Sequence, residues 1–489
     1  MLRHCALLWL CAWLCACAPR QRQPQALPAK PALRALRYTF SLDAAFTRLS
    51  SRLCFEGGAP SRLVYGTEAA VAFVRDAQLV SEASRSRVRP LRVEHGYIEL
   101  GELAADSCIG YDVDLRAALE HDALLLAYPS DHALVASAEL FLWRPVHRAS
   151  SLQASVRFVL PPDMRVNAPW PEHEGTYALD ESAFACRGHV VFGRFAQQAI
   201  EVPGTRLNAV VLDGFPEPAR GLIAAWLATA AAVVSLPSGA FPVAQAQVIV
   251  VPTSPSRFPI HFGYTGRSGG ASIILFTPTD MDLAQFRGDW IAIHEFSHLW
   301  HPFVQRDDAW LSEGLATYLQ EVLRVRSGLL PREQAWRRLF EGAAHGRDTD
   351  QNLAHETRSM RAAGNYERVY WAGAAIALMA DVEVRRVTAG RVTLDGVLAE
   401  LLRQHRFADS VSARELLGAM DQAAGVSVFE NTARRYLDGG RLPDLTELYR
   451  ELGLVDDGGQ VAAEPEAPLG WIRDAIMAHQ DVTLALPPG

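Results

Sequence analysis

The chain has 489 residues, 49% of them hydrophobic and 21% charged, with a formal net charge of −8. These are ordinary globular values, and the length allows two or three domains with sizeable cores. The modest acidic balance, without a long block of one sign, gives no sign of a nucleic-acid partner and mainly favours solubility.

The first residues read as a targeting segment rather than as fold. Met1-Leu2-Arg3-His4 is a short basic start, and Cys5 to Ala16 is an apolar run too short for a permanent membrane span. Leu14-Cys15-Ala16-Cys17 resembles a bacterial lipobox, whose last cysteine becomes the lipidated N-terminus. Ala16-Cys17-Ala18 also suits ordinary signal cleavage. The lipobox reading makes 1–17 a signal peptide and Cys17 a lipid anchor in an envelope membrane, with the chain facing the periplasm. Residues 18–36, rich in Pro, Gln, Ala and Arg without an acid, read as a disordered tether. The cysteines beyond the signal are Cys54, Cys108 and Cys186. Export into an oxidising space predicts one disulfide, Cys54–Cys108 within one β-rich region, and leaves Cys186 as a buried thiol.

Residues 37–201 read as a β-sandwich-like domain. Short strand patterns at 38–42, 62–65, 97–100, 138–143 and 155–160 alternate with turns, and no cluster of titratable groups marks a site there. An Ala-rich helix over Glu217–Val234 and a buried strand at Gln247–Val251 open a second region, 202–386. A glycine-rich stretch from Gly263 to Gly270 precedes the strand-like Ala271–Phe276. Gly269, Gly270, Ala271 and Ser272 are therefore candidates for a strand to which an extended peptide adds, the alternative being a surface loop. Helical patterns near 332–341, 368–386, 394–403 and 413–422 follow, the last two in a C-terminal helical region, 387–454. Residues 455–489 read as a linker and short tail.

The most informative stretch is Trp290 to Tyr318. His294, Glu295 and His298 form H-E-x-x-H. Two histidines four apart lie roughly 400° around a helix and about 6 Å along it, so both imidazoles share one face. Glu295 falls beside the open coordination position, where a general base belongs. Glu313, in Trp310-Leu311-Ser312-Glu313-Gly314, offers a carboxylate from a second helix. Two histidines and a glutamate make a three-ligand set for one catalytic Zn2+. The apolar flanks Ile291, Ala292, Ile293, Phe296, Leu299 and Trp300 predict a buried helix, where unpaired His and Glu are costly. His301 reads as pocket lining, and Asp307 and Asp308 as loop or capping residues that could also orient a ligand histidine.

These motifs, with Tyr370-Trp371-Ala372-Gly373 and Arg435-Tyr436-Leu437-Asp438-Gly439, resemble the gluzincin zinc peptidases. The chain is most similar to the glycyl aminopeptidase family and more distantly to the aminopeptidase N family, over roughly 155–454. The resemblance implies an α+β multidomain protein whose 202–386 region is a thermolysin-like mixed α/β catalytic domain. It implies a metallopeptidase acting on a peptide or protein, with His294, His298 and Glu313 as zinc ligands and Glu295 as general base and acid. Tyr370 would be the oxyanion donor, with Tyr366 as its alternate. Two departures stand out. Fourteen residues (299–312) separate His298 from Glu313, about one turn fewer than in the aminopeptidase N family. The acid that those relatives place after the glycine-rich strand to hold a free amine has no counterpart before Asp280. The competing class is a non-catalytic, lipid-anchored envelope protein that holds zinc and binds peptides.

Overall fold

A computed structural model describes residues 31–80, 89–121, 127–149, 151–185, 187–254, 261–267, 269–345, 351–404, 410–437, 439, 441–457 and 460–487. The expected signal, Cys17 and Cys186 lie outside the described residues. Among the described residues no helix is long and apolar enough to cross a membrane.

The N-terminal region is built of one eight-stranded and two four-stranded sheets. Strand Leu33–Leu42 pairs antiparallel with Arg48–Gly57 and parallel with Gln153–Val159. Its alternation sends Leu36, Tyr38, Phe40 and Leu42 inward. The burial of Leu36 corrects the tether expected to run to residue 36, because burying that side chain ties the preceding residues into the sheet. Phe158 of the eight-stranded sheet meets Phe192 of a four-stranded one edge to face, at 5.3 Å between ring centres. Cys54 and Cys108 are register partners across two antiparallel strands and are joined by a disulfide. The stretch expected as a strand at 138–143 instead holds a short helix, Ala138–Phe141. The Ser137 hydroxyl accepts the Glu139 amide and turns the chain.

The second region is a five-stranded sheet in the order Ala196–Val202, Thr205–Val211, Gln245–Thr253, Ala271–Pro278, Phe262–Arg267. Its first strand starts ahead of the expected boundary at 201/202 and pairs with Thr205–Val211. The inner pairings are parallel, and Phe262–Arg267 is an antiparallel edge strand. One face, through Val210, Ile249, Val251, Ile274 and Phe276, packs on Tyr128, Val135 and Val191 of the N-terminal region. The other face carries the helices, beginning with Glu217–Val234.

The stretch Leu283–Trp300 does not form one continuous helix. Leu283–Gly288 ends at Asp289, whose carboxylate caps the next helix by accepting the Ala292 amide. Ile291–Ser297 then carries the H-E-x-x-H residues, and His298–Trp300 tightens into a 3₁₀ turn. Behind it stand Ala309–Arg326, which holds Glu313, and Tyr366–Thr388, which holds Tyr370. The segment expected as linker and loose tail is instead part of the core. Ile472 and Ile476, four apart on the helix Gly470–Ile476, are fully buried, and Leu486 nearly so, in the cluster that includes Ile291 and Leu315. The Ala485 and Leu486 amides donate to the Thr229 hydroxyl of the first helix.

Candidate metal and catalytic site

The site forms where three helices and the edge strand meet. His294 and His298 extend from the motif helix, one turn apart, with ring centres 4.9 Å apart. Glu313 Oε2 lies 3.3 Å from His294 Nε2 and 3.4 Å from His298 Nε2. For ligand bonds of about 2.0–2.1 Å, the edge of a tetrahedron is roughly 3.3–3.4 Å. The two measured nitrogen–oxygen spacings therefore suit a single zinc-sized cation. Side-chain exposure rises from 4% at His294 through 12% at His298 to 20% at Glu313, so the cluster is buried on one side and opens on the other.

Each histidine turns its second ring nitrogen toward the protein. His294 Nδ1 lies 2.8 Å from Gln320 Oε1, and His298 Nδ1 lies 3.1 Å from the Ser312 hydroxyl. Such partners hold each ring in place, and an Nδ1–H donated to Gln320 Oε1 leaves the His294 Nε2 lone pair facing the cluster. Burial opposes the charge of Glu313, but the two imidazoles outweigh it and hold its carboxyl well below the usual carboxylate range. Glu295 contrasts with it. Burial, the largest influence, pushes its pKa up, and its carboxylate accepts the Thr265 hydroxyl at 2.9 Å. Its oxygen is also within 4.8 Å of the imidazole nitrogens. Glu313 faces both imidazoles more closely, and Glu295 stands at the side of the cluster.

Tyr370 stacks on His294, with ring centres 6.0 Å apart. Burial first, then the nearby Glu313 and Glu295 carboxylates, holds its phenol protonated far above the ordinary tyrosine range. A neutral, protonated phenol is the form that can donate to a developing oxyanion. Tyr366 lies a turn away at the rim, 42% exposed, and touches Tyr370 rather than the histidines.

The edge strand passes over Glu295. A Cβ on Gly263 would lie 2.3 Å from Glu295 Cγ, so only glycine lets the backbone come this close. Gly263 and Thr265 face Glu295, and the alternate residues Tyr264 and Gly266 face the N-terminal region. There Tyr264 meets His189, and Gly266 lies against the Arg187 carbonyl. The Tyr264 phenol is pushed up to about 12 by burial and then by Glu139.

The expected peptide-binding residues require correction. Ala271–Pro278 is paired on both sides, with Gln245–Thr253 and with the edge strand, and so has no free edge. Gly269 and Gly270 abut Trp170, Ala183 and Pro169. Ala271 is buried, and Ser272 is bonded to Gln247 and to the His189 amide. The strand facing the site is the preceding one. Asp308 binds the Ala413 amide and not a histidine, while His301 is buried in ring contact with His298 and bonds to the Pro302 carbonyl. Gln320, Ser312, Thr265 and Gly263 are the site residues that the sequence reading did not single out.

No protein-family model matches the sequence, and no curated protein matches it. Solved structures do resemble it. The chain is similar to an aminopeptidase N family protein from Idiomarina loihiensis at 14% identity and a TM-score of 0.67, covering 88% of this chain and 82% of that one. An M1 zinc metallopeptidase from Deinococcus radiodurans aligns at 16% identity and a TM-score of 0.53, over 86% of this chain and 96% of that one. A mutant of that metallopeptidase, bound to a Tyr-Ser-Ala substrate, aligns with the same identity and TM-score. The shared feature is the fold, a multidomain α+β architecture with N-terminal sheets and a helical C-terminal region.

Proposed function

We propose that the chain is a zinc-dependent peptidase of the aminopeptidase type. The observation that carries this reading is the convergence of His294, His298 and Glu313 at tetrahedral spacing, with Glu295 and Tyr370 beside them. The fold likeness supports the peptidase type. A zinc ion held by the three ligands would supply a water of lowered pKa and an electrophile for a peptide carbonyl.

The remaining work falls to side chains of this chain. Glu295, steadied by Thr265, takes a proton from the attacking water and passes it to the departing amine. Tyr370 donates a hydrogen bond to the carbonyl oxygen as charge builds there. The free edge of Phe262–Arg267 receives the substrate main chain as an added strand. We place the protein in the bacterial envelope, anchored through Cys17 and facing the periplasm, on the strength of the lipobox-like sequence alone.

The test is hydrolysis of a peptide library by the purified protein, before and after chelation, beside Glu295→Gln. We expect cleavage from free N-termini, lost on chelation and lowered about 10²–10⁴-fold in Glu295→Gln. Metal retained without glutamate-dependent cleavage would favour the peptide-binding class instead. Equal cleavage of N-acetylated peptides would remove the aminopeptidase assignment.

A further inference from the structure

A buried acid behind the site has no part in the chemistry above. Glu321 is fully buried in the helix Ala309–Arg326, one residue beyond Gln320. Its Oε1 accepts the Gln320 side-chain amide at 2.9 Å. Gln320 in turn presents Oε1 to His294 Nδ1 at 2.8 Å. Arg324 and Arg338 stand 3.7 Å from the same Glu321 oxygen, at ion-pair rather than hydrogen-bond distance.

A glutamine has two unlike ends. With its oxygen toward His294, it accepts Nδ1–H, and the Nε2 lone pair faces Glu313. With its NH2 there instead, it donates to Nδ1, the proton moves to Nε2, and His294 can no longer ligate a cation. Nothing within Gln320 chooses between these orientations. Glu321 does, because an ionised carboxylate is acceptor-only and binds the NH2 end alone.

We propose that Glu321 is a positioning residue that fixes the Gln320 amide and through it the metal-binding tautomer of His294. The proposal rests on the metal-site reading of His294 but is read out by metal affinity, independently of catalysis.

The experiment is zinc affinity by chelator competition on the full chain, with circular dichroism as a check of folding. Glu321→Gln keeps the volume but can present either end to Gln320, so affinity should fall about 10–100-fold. Gln320→Glu supplies an acceptor with two equivalent oxygens and needs no orienting partner, and it also sets a second buried carboxylate beside Glu321. In that background Glu321→Gln should be neutral or should strengthen binding, a reversal of sign. Arg338→Gln, which leaves the Glu321–Gln320 bond intact, should change affinity less than about threefold on the same scale. An equal loss from Glu321→Gln in both backgrounds, or a tenfold loss in Arg338→Gln, would overturn the proposal in favour of a packing role. So would unchanged affinity in Glu321→Gln. If Glu321→Gln alone does not fold, the double variant and Arg338→Gln decide the matter. A parent chain that binds no zinc would refute the peptidase reading itself.

Discussion

Single side chains decide what this cleft can do, and the tightest constraint is a missing one. Gly263 has no Cβ, and an alanine there would press on the Glu295 methylenes and carboxyl group. Gly263→Ala should therefore move Glu295 while sparing the ligands. We expect kcat to fall on the order of 10–100-fold with bound metal unchanged, measured by steady-state kinetics and metal analysis. An unaltered kcat would show that the edge strand does not set the base. The residues at this scale were unequally legible in the sequence. The spacing of His294 and His298 is a local property of a helix, so their meeting follows from the letters alone. Gln320 was within reach of the same logic, two turns beyond Glu313. Gly263 and Thr265 were not, because their role depends on which strand lies at the sheet edge, and that is decided by long-range pairing.

At the scale of elements, the site depends on how closely Ala309–Arg326 and Tyr366–Thr388 approach. They cross at Gly314 and Gly373. A Cβ on Gly373 would lie 2.1 Å from the Trp310 carbonyl oxygen and 2.7 Å from Gly314 Cα. Backbone cannot yield as a side-chain tip can. This contact brings Tyr370, three residues before Gly373, against His294. Gly373→Ala should cost about 1–3 kcal/mol in denaturant unfolding and also lower kcat. Gly221→Ala makes the contrast. That glycine lies inside Glu217–Val234 with no atom within 4 Å of an added Cβ, and alanine should stabilise by up to about 1 kcal/mol. The same sign for both variants would contradict the crossing argument. The helix Glu217–Val234 was legible to its ends, whereas the break at Asp289 was not. Its cause is a side chain capping the following helix, and the continuous apolar pattern masks it.

Over the whole molecule, the C-terminal segment closes a circuit with the first helix of the second region. Leu486 is buried, and the Thr229 hydroxyl accepts two amides from this segment. Removing residues 478–489 should lower stability by roughly 1.5–3 kcal/mol from the uncovered leucine alone, seen as a lower thermal midpoint. An unchanged midpoint would mean that the tail is not docked in solution. From the sequence this segment reads as a tail, because it is short and opens with Gly, Pro and Glu. Its apolar pair Ile472 and Ile476 gains meaning only against a core assembled from residues hundreds of positions away. The broad architecture of N-terminal sheets, a mixed central region and later helices was legible because each part carries its own hydrophobic period.

One cation held by three side chains is the centre of the proposed chemistry, and anomalous diffraction from crystals at the zinc absorption edge tests it most directly. We predict a peak about 2.0–2.1 Å from His294 Nε2, His298 Nε2 and a Glu313 oxygen, with Glu295 outside bonding distance. No peak in zinc-replete crystals, or a peak coordinated by Glu295 in place of Glu313, would contradict it.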